Sequence, residues 1–260
     1  MGAESIKLRI AMRLEEQLLL GILQGAFEWL PVSSKTVLLL ATALLGYPLS
    51  HSYSLSLALQ AGTVVSALAY FWRELPQLLS DGKVVRFLLI STALTAVVGI
   101  PLYLLARELL SVLGLAAPTL AIGLALIIQG LLRRGGGGRE EVSERDSLLF
   151  GIAQGLAVLP GVSRSGITVT LLLYLRFSPS RALKLSFLAS IPANSGALLM
   201  TLVLEGVSLG ELPSLLPALL VSAMVGYLTM SALLELARRR GRELALAMGI
   251  VTLALGAALI

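Results

Sequence analysis

One stretch is written twice in this chain, half a chain length apart. Residues 21–36 read GILQGAFEWLPVSSKT and residues 151–168 read GIAQGLAVLPGVSRSGIT. Gly21-Ile22, Gln24-Gly25 and Val32-Ser33 recur as Gly151-Ile152, Gln154-Gly155 and Val162-Ser163, an offset of 130 residues; Leu30-Pro31 recurs as Leu159-Pro160 at 129. In each copy an apolar run is interrupted by proline and hydroxyl residues and then resumes. Within a membrane, such an interruption is tolerated only where protein or a water-filled cavity satisfies the freed backbone groups. Matched interruptions in two halves of a chain point to a binding site at their meeting place.

Composition makes the membrane reading firm. The 260 residues are 57% hydrophobic and 13% charged, against about 25% charged in a soluble domain. The arms on either side of each interruption are too short to span a bilayer, which takes roughly 20 residues. They read as re-entrant helical hairpins at 17–45 and 147–175. Full-length spans are expected at about 53–72, 85–106 and 112–132 in the first half and 183–204, 213–236 and 243–260 in the second. Residues 1–16 read as a short amphipathic segment, not a signal peptide, because charges continue to Glu16. RRGGGGREEVSERD (133–146) reads as a solvated linker. The expected division is a first repeat at 1–132, the linker at 133–146, and a second repeat at 147–260 within one membrane domain. Three crossings per half invert the second copy. The expected fold is therefore an all-α integral membrane protein of six transmembrane helices plus two re-entrant hairpins, arranged as an inverted-topology repeat.

The twenty basic residues divide unevenly. Fourteen (Arg73, Lys83, Arg86, Arg133, Arg134, Arg139, Arg145, Arg176, Arg181, Lys184, Arg238, Arg239, Arg240 and Arg242) fall on one side of this topology, and Lys7, Arg9, Arg13 and Arg107 on the other. The richer side belongs in the cytoplasm, which places both termini outside. The net charge of +5 reflects this topology rather than nucleic-acid binding, since no aromatic residues interleave the bases. Absence of cysteine excludes disulfides and thiol chemistry. A single histidine, His51, argues against a His-rich metal site or a Ser-His-Asp triad.

Lys35 and Arg164 are the bases inside the interruptions, and Glu28 is the carboxylate set within the first hairpin. Ionisable groups at membrane depth are costly and mark a site with a partner nearby. Two hairpin tips meeting at the midplane would bring Glu28, Ser33, Ser34 and Lys35 against Ser163, Arg164 and Ser165. Arginine offers a planar fork matched to phosphate, and half-helix N-termini add N–H donors. A carboxylate there can act as base or hold a divalent cation, and a serine can accept a phosphoryl group. The serines can equally cap helix starts, Lys35 can reach lipid headgroups, and Arg164 can simply tie the hairpins together. Gln24, Gln154 and Gln60 can brace the core, with Gln60 alternatively reaching the site. Gly25, Gly62, Gly155 and Gly166 read as close-packing points.

QGAFEWLPVSS (24–34) and PGVSRSG (160–166) resemble the two signatures of the bacitracin-resistance family of undecaprenyl pyrophosphate phosphatases. The likeness extends to LALQAGTVVSALAYFWREL (57–75) and SFLASIPANSGAL (186–198). The resemblance implies hydrolysis of a polyprenyl diphosphate to the monophosphate, recycling the lipid carrier of envelope glycan synthesis. It implies a divalent cation, Mg2+ or Ca2+, and a site open to the outer face of the plasma membrane. By the same resemblance Glu28 is catalytic or metal-holding, and Ser33 or Ser34 is the nucleophile. Arg164, with Gly161, Ser163 and Ser165, binds the diphosphate. Membrane lipids are the other expected partners, nucleic acid is not one, and a homodimer is compatible with the reading. Two positions depart from the family: its first glutamate is here Gln24, which can bind phosphate but cannot act as a base, and its histidine is here Val37. A polyprenyl-phosphate flippase would need neither reactive group and is the rival reading. A non-catalytic lipid-phosphate binder is a third.

Overall fold

Each interruption ends one helix and caps the next. The computed structural model describes residues 12–109, 120, 123–124, 126–127, 138–159, 161–204 and 213–258. In chain order its helices are α1 (Leu14–Phe27), α2 (Ser34–Leu44), α3 (Leu49–Phe71), α4 (Leu75–Ser80), α5 (Gly82–Leu109), α6 (Glu144–Leu156), α7 (Arg164–Tyr174), α8 (Pro179–Leu204) and α9 (Leu216–Ala257). Helix α1 stops short of Leu30-Pro31, because a residue before proline is pushed out of helical backbone. Helix α2 restarts after Ser33, whose Oγ accepts the Thr36 N–H at 3.3 Å. In the second copy Ser163 does the same for α7, accepting the Gly166 N–H at 3.1 Å. Gly166 thus takes part in a cap.

The repeat is also visible where the second arms end. Gly46 (φ +86°) and Arg176 (φ +70°), again 130 residues apart, both adopt left-handed backbone. The next residues, Tyr47 and Phe177, donate their N–H groups to Thr42 O and Leu172 O, each at 3.0 Å. This is a left-handed helix cap written twice. Glycine adopts it without strain; at Arg176 the carbonyl is additionally bonded by the Arg139 N–H at 2.8 Å. Arg139 is more than part of a solvated linker. Its guanidinium binds both oxygens of buried Asp146 (3.0 and 2.5 Å) and lies 4.8 Å over the Phe177 ring. Asp146 in turn closes the capping box of α6 with Ser143.

The first arm of each pair packs on a long helix of the opposite half, α1 on α9 and α6 on α5. Repeated glycines allow the approach. A Cβ on Gly21 or Gly25 would lie 2.5 Å from Ala218 O or 2.7 Å from Gly226 N; on Gly151 or Gly155, 2.8 Å from Ser91 O or 2.7 Å from Val98 Cβ. Gly62 meets Leu219 O in the same way. Small residues at such crossings let helices touch backbone to backbone.

Four helices among the described residues are long and apolar enough to cross a membrane: Ser52–Phe71, Gly82–Leu105, Pro179–Val203 and Pro213–Ala257. The last covers most of the residues of two expected spans, 213–236 and 243–260. It breaks at Arg240 (φ −139°, ψ 51°) into arms of 216–239 and 241–257, with the basic run 238–242 at the bend. The span expected at 112–132 lies outside the described residues apart from Leu120, Gly123, Leu124, Leu126 and Ile127, which are helical. Residues 1–11 and 133–137 also lie outside. The expected amphipathic segment is shortened at its described end, because α1 already includes Glu15 and Glu16. Buried Glu16 accepts the Tyr47 hydroxyl at 2.8 Å.

Gly25→Val is expected to destabilise the fold by about 1–3 kcal/mol through overpacking, lowering the melting temperature in detergent. Gly196→Ala, where nothing lies within 4 Å, is expected to be tolerated. Equal melting of both variants with the parent would contradict this packing.

Candidate functional site

The two breaks interlock, and a cavity opens where they meet. Backbone groups freed by each break are taken up by side chains of the other half. Leu30 O accepts hydroxyl bonds from Ser163 (3.2 Å) and Ser165 (2.5 Å). Ala157 O accepts the Lys35 ammonium at 2.8 Å, and Val158 O accepts the Tyr53 hydroxyl at 3.1 Å. The Gly161 N–H, on left-handed backbone (φ +84°), donates to Thr36 Oγ1 at 3.1 Å.

Across this junction runs a buried ion pair. Arg164 Nη2 donates to Glu28 Oε1 at 2.8 Å, which brings these two expected site residues into direct contact. Arg164 also donates from Nη1 to Ser186 O (3.2 Å) and lies over the Trp29 ring, 5.4 Å from its centre. Phe187 packs on the same indole, with ring centres 4.9 Å apart. Guanidinium is suited to this apolar stacking because it is weakly hydrated. Its Nε is buried and has no partner among the described residues.

Glu28 is saturated. Its Oε1 accepts from Arg164 and from Asn194 Nδ2 (2.8 Å); its Oε2 accepts from Gln24 Nε2 (2.9 Å) and Ser34 Oγ (2.8 Å). Four donors fill the roughly four lone-pair positions of a carboxylate.

The cavity holds about 660 Å3 of empty space, its open mouth included, and is lined by Glu28, Ser33, Ser34, Lys35, Gln60, Ser163 and Arg164 of the expected site. Three expected binding residues do not line it. Gln24 lies behind Glu28, completely buried, and holds the carboxylate. Ser165 and Gly161 tie the breaks together. The four serines divide by role: Ser33 and Ser163 cap helices, Ser165 binds a carbonyl, and Ser34 alone donates to the carboxylate. Asn194, Tyr53, Tyr103, Thr95 and Gln154 complete the polar lining. Sequence reasoning missed Asn194 as a site residue, although an amide two residues after Pro192 in an apolar span was a legible signal. His51 belongs to α3, and its side chain lies outside the described residues.

The donor set does not suit a protein-held divalent cation. Among the described residues no group of three His, Cys, Asp or Glu side chains gathers anywhere. Glu28 is the one carboxylate lining the cavity, and hard cations take several oxygen ligands. Its oxygens already face an arginine and three neutral donors.

The family model described as "Bacitracin resistance protein BacA" matches residues 17–258. Three relatives bearing the name undecaprenyl-diphosphatase are similar over most of their length. The protein of Sulfurisphaera tokodaii is 37% identical over 241 residues, covering 88% of this chain and 91% of its own. That of Saccharolobus islandicus is 39% identical over 247 residues, covering 85% and 87%. That of Haloarcula marismortui is 41% identical over 241 residues, covering 85% and 89%.

Removing one member of the ion pair leaves the other buried and unpaired, at a cost of about 3–5 kcal/mol. Glu28→Gln and Arg164→Met should each destabilise on that scale. The double replacement should lose at least about 1 kcal/mol less than the sum, measured by denaturant titration in mixed micelles. Additive losses would mean that the pair is not coupled in the folded protein.

Proposed function

The chain belongs to the bacitracin resistance protein BacA family, and on that premise we propose that it hydrolyses a polyprenyl diphosphate to the monophosphate and inorganic phosphate. The reaction takes place in the cavity between the two helix breaks. One observation carries the assignment: a serine hydroxyl, Ser34, points its proton at a buried carboxylate in a cavity that also holds Arg164 and Lys35.

In this reading the diphosphate enters headgroup first from the lipid. Arg164 meets it with N–H donors not used by Glu28 or Ser186. Ser34 Oγ attacks the terminal phosphorus as its proton passes to Glu28 Oε2. The bridging P–O bond breaks, and its electron pair leaves on polyprenyl monophosphate. Water then adds to the phosphoserine phosphorus. Ser34 Oγ departs with the proton held on Glu28, and dihydrogen phosphate is released. Phosphoryl transfer proceeds through a loose transition state in most analyses, so positioning and electrostatics contribute more than base strength. This is why a hydrogen-bonded glutamate is adequate and why Gln24 and Val37 do not abolish the chemistry. Gln24 orients Glu28 as a neutral donor and need not be a base itself.

The wider frame belongs to the same proposal. Six spans and two re-entrant hairpins form inverted halves, 1–132 and 147–260 around the linker 133–146. Their support is the duplicated caps and the reciprocal packing of α1 on α9 and α6 on α5. The fourteen-to-four division of bases favours outer termini in the plasma membrane, and the family resemblance implies a cavity open to the outer face. A flippase would use the Arg164 clamp but has no need of a hydroxyl held on a carboxylate, and the relatives compared carry a diphosphatase name.

Ser34→Ala removes the attacking oxygen and is expected to lower kcat for phosphate release by about 100-fold or more. Ser33→Ala should retain most turnover and lose about 1 kcal/mol of stability as a helix cap. The opposite pattern, with Ser33 essential and Ser34 dispensable, would reassign the nucleophile.

A further inference from the structure

Lys35 is a buried cation without a buried anion of its own. Its residue is 6% exposed. Among the described residues its one hydrogen bond goes to the neutral Ala157 carbonyl, and no carboxylate there lies within ion-pair distance of it. An ammonium has three donors, so two remain for a ligand in the cavity that Lys35 lines. A buried ammonium whose direct partner among the described residues is a neutral carbonyl is costly, and an anionic ligand offsets that cost. Arg164, although paired with Glu28, also keeps spare donors: among the described residues two of its five N–H groups are used and Nε has no partner.

Granting that the cavity is a diphosphate site, on which this inference rests, we propose that the Lys35 ammonium takes the place of a divalent cation there. The chain then binds and cleaves its diphosphate without added metal. A divalent cation on a diphosphate neutralises charge and bridges phosphate oxygens. Here the neutralising charge is fixed in the protein. Arg164 is tied by Glu28, so Lys35 is the cation left uncompensated for the ligand. The N-termini of α2 and α7, capped by two residues that line the same cavity, Ser33 and Ser163, add about half a positive charge each. A terminal phosphate carries about −1.5 to −2, which Lys35 and the two helix ends match. Glu28, already accepting four hydrogen bonds, has no oxygen position to spare for an ion.

The test uses full-length purified protein in detergent, with a methylene-bridged polyprenyl diphosphate as the binding probe. The cleavable diphosphate serves for phosphate release, each measured in EDTA and in Mg2+ or Ca2+. Binding and release by the parent protein are expected to differ less than about threefold between EDTA and metal. Lys35→Met should bind the probe at least about tenfold more weakly in EDTA and recover part of that loss with Mg2+. Lys35→Arg, checked by its melting temperature alongside Lys35→Met, should keep binding in EDTA. Parent binding that collapses in EDTA and returns with metal would overturn the inference while leaving the phosphatase assignment intact. So would Lys35→Met binding as tightly as the parent. Absence of phosphate release under every condition, from folded protein, would instead sink the phosphatase reading. The binding comparison would still decide the role of Lys35.

Discussion

The pairing of Glu28 with Arg164 is the interaction on which the site depends. It joins residues 136 positions apart, one from each copy of the repeated stretch, at the place where both copies lose their helical hydrogen bonding. A buried ion pair adds little net stability, because desolvation of two charges offsets their attraction. What it adds here is position. Around Glu28 the three further donors, Gln24, Asn194 and Ser34, come from three segments, so the carboxylate fixes α1, α2 and α8 relative to α7. The same bonds orient the Ser34 hydroxyl toward the carboxylate.

The scaffold permits this because its two halves pack on each other rather than side by side. Glycines at 21, 25, 151 and 155 bring the first arms against long helices of the opposite half. The arms end beside one another, and each break can reach the other. Leu30, Ala157 and Val158 then give their carbonyls to side chains across the junction. Unsatisfied backbone, which would be prohibitive in lipid, becomes the fastening between the halves. The cavity is the space left over, and it is polar where the charges are.

Much of this was legible in the sequence because the repeat is written in residues with few alternative uses. Proline and serine in an apolar run mark a break, and a charge at depth marks a partner. That logic gathered Glu28 and Arg164 into one cluster, and the small-residue rule for helix crossings marked Gly25, Gly62 and Gly155 as packing points. Roles decided by backbone geometry were not legible. Ser33 and Ser34 are adjacent and chemically identical, yet one faces its own helix and the other faces Glu28. Only the direction in which α2 leaves the break separates them. Gln24 stood four residues before Glu28, a spacing that places it on the same helical face, which brings it behind the carboxylate and away from the cavity. Asn194 lies outside the two repeated stretches, and the amide after Pro192 was its one local signal. Arg139, taken as linker, binds Asp146 and Phe177 through a contact no local pattern announces.

The most direct measurement is an experimental structure of the protein with a methylene-bridged polyprenyl diphosphate bound. The expected result is a terminal phosphate in the cavity, its phosphorus about 3–3.5 Å from Ser34 Oγ in a near-attack arrangement, with oxygens on Arg164 and Lys35. A headgroup seated elsewhere, with this cavity and its ion pair undisturbed, would contradict the assignment of the junction between the two breaks as the active site.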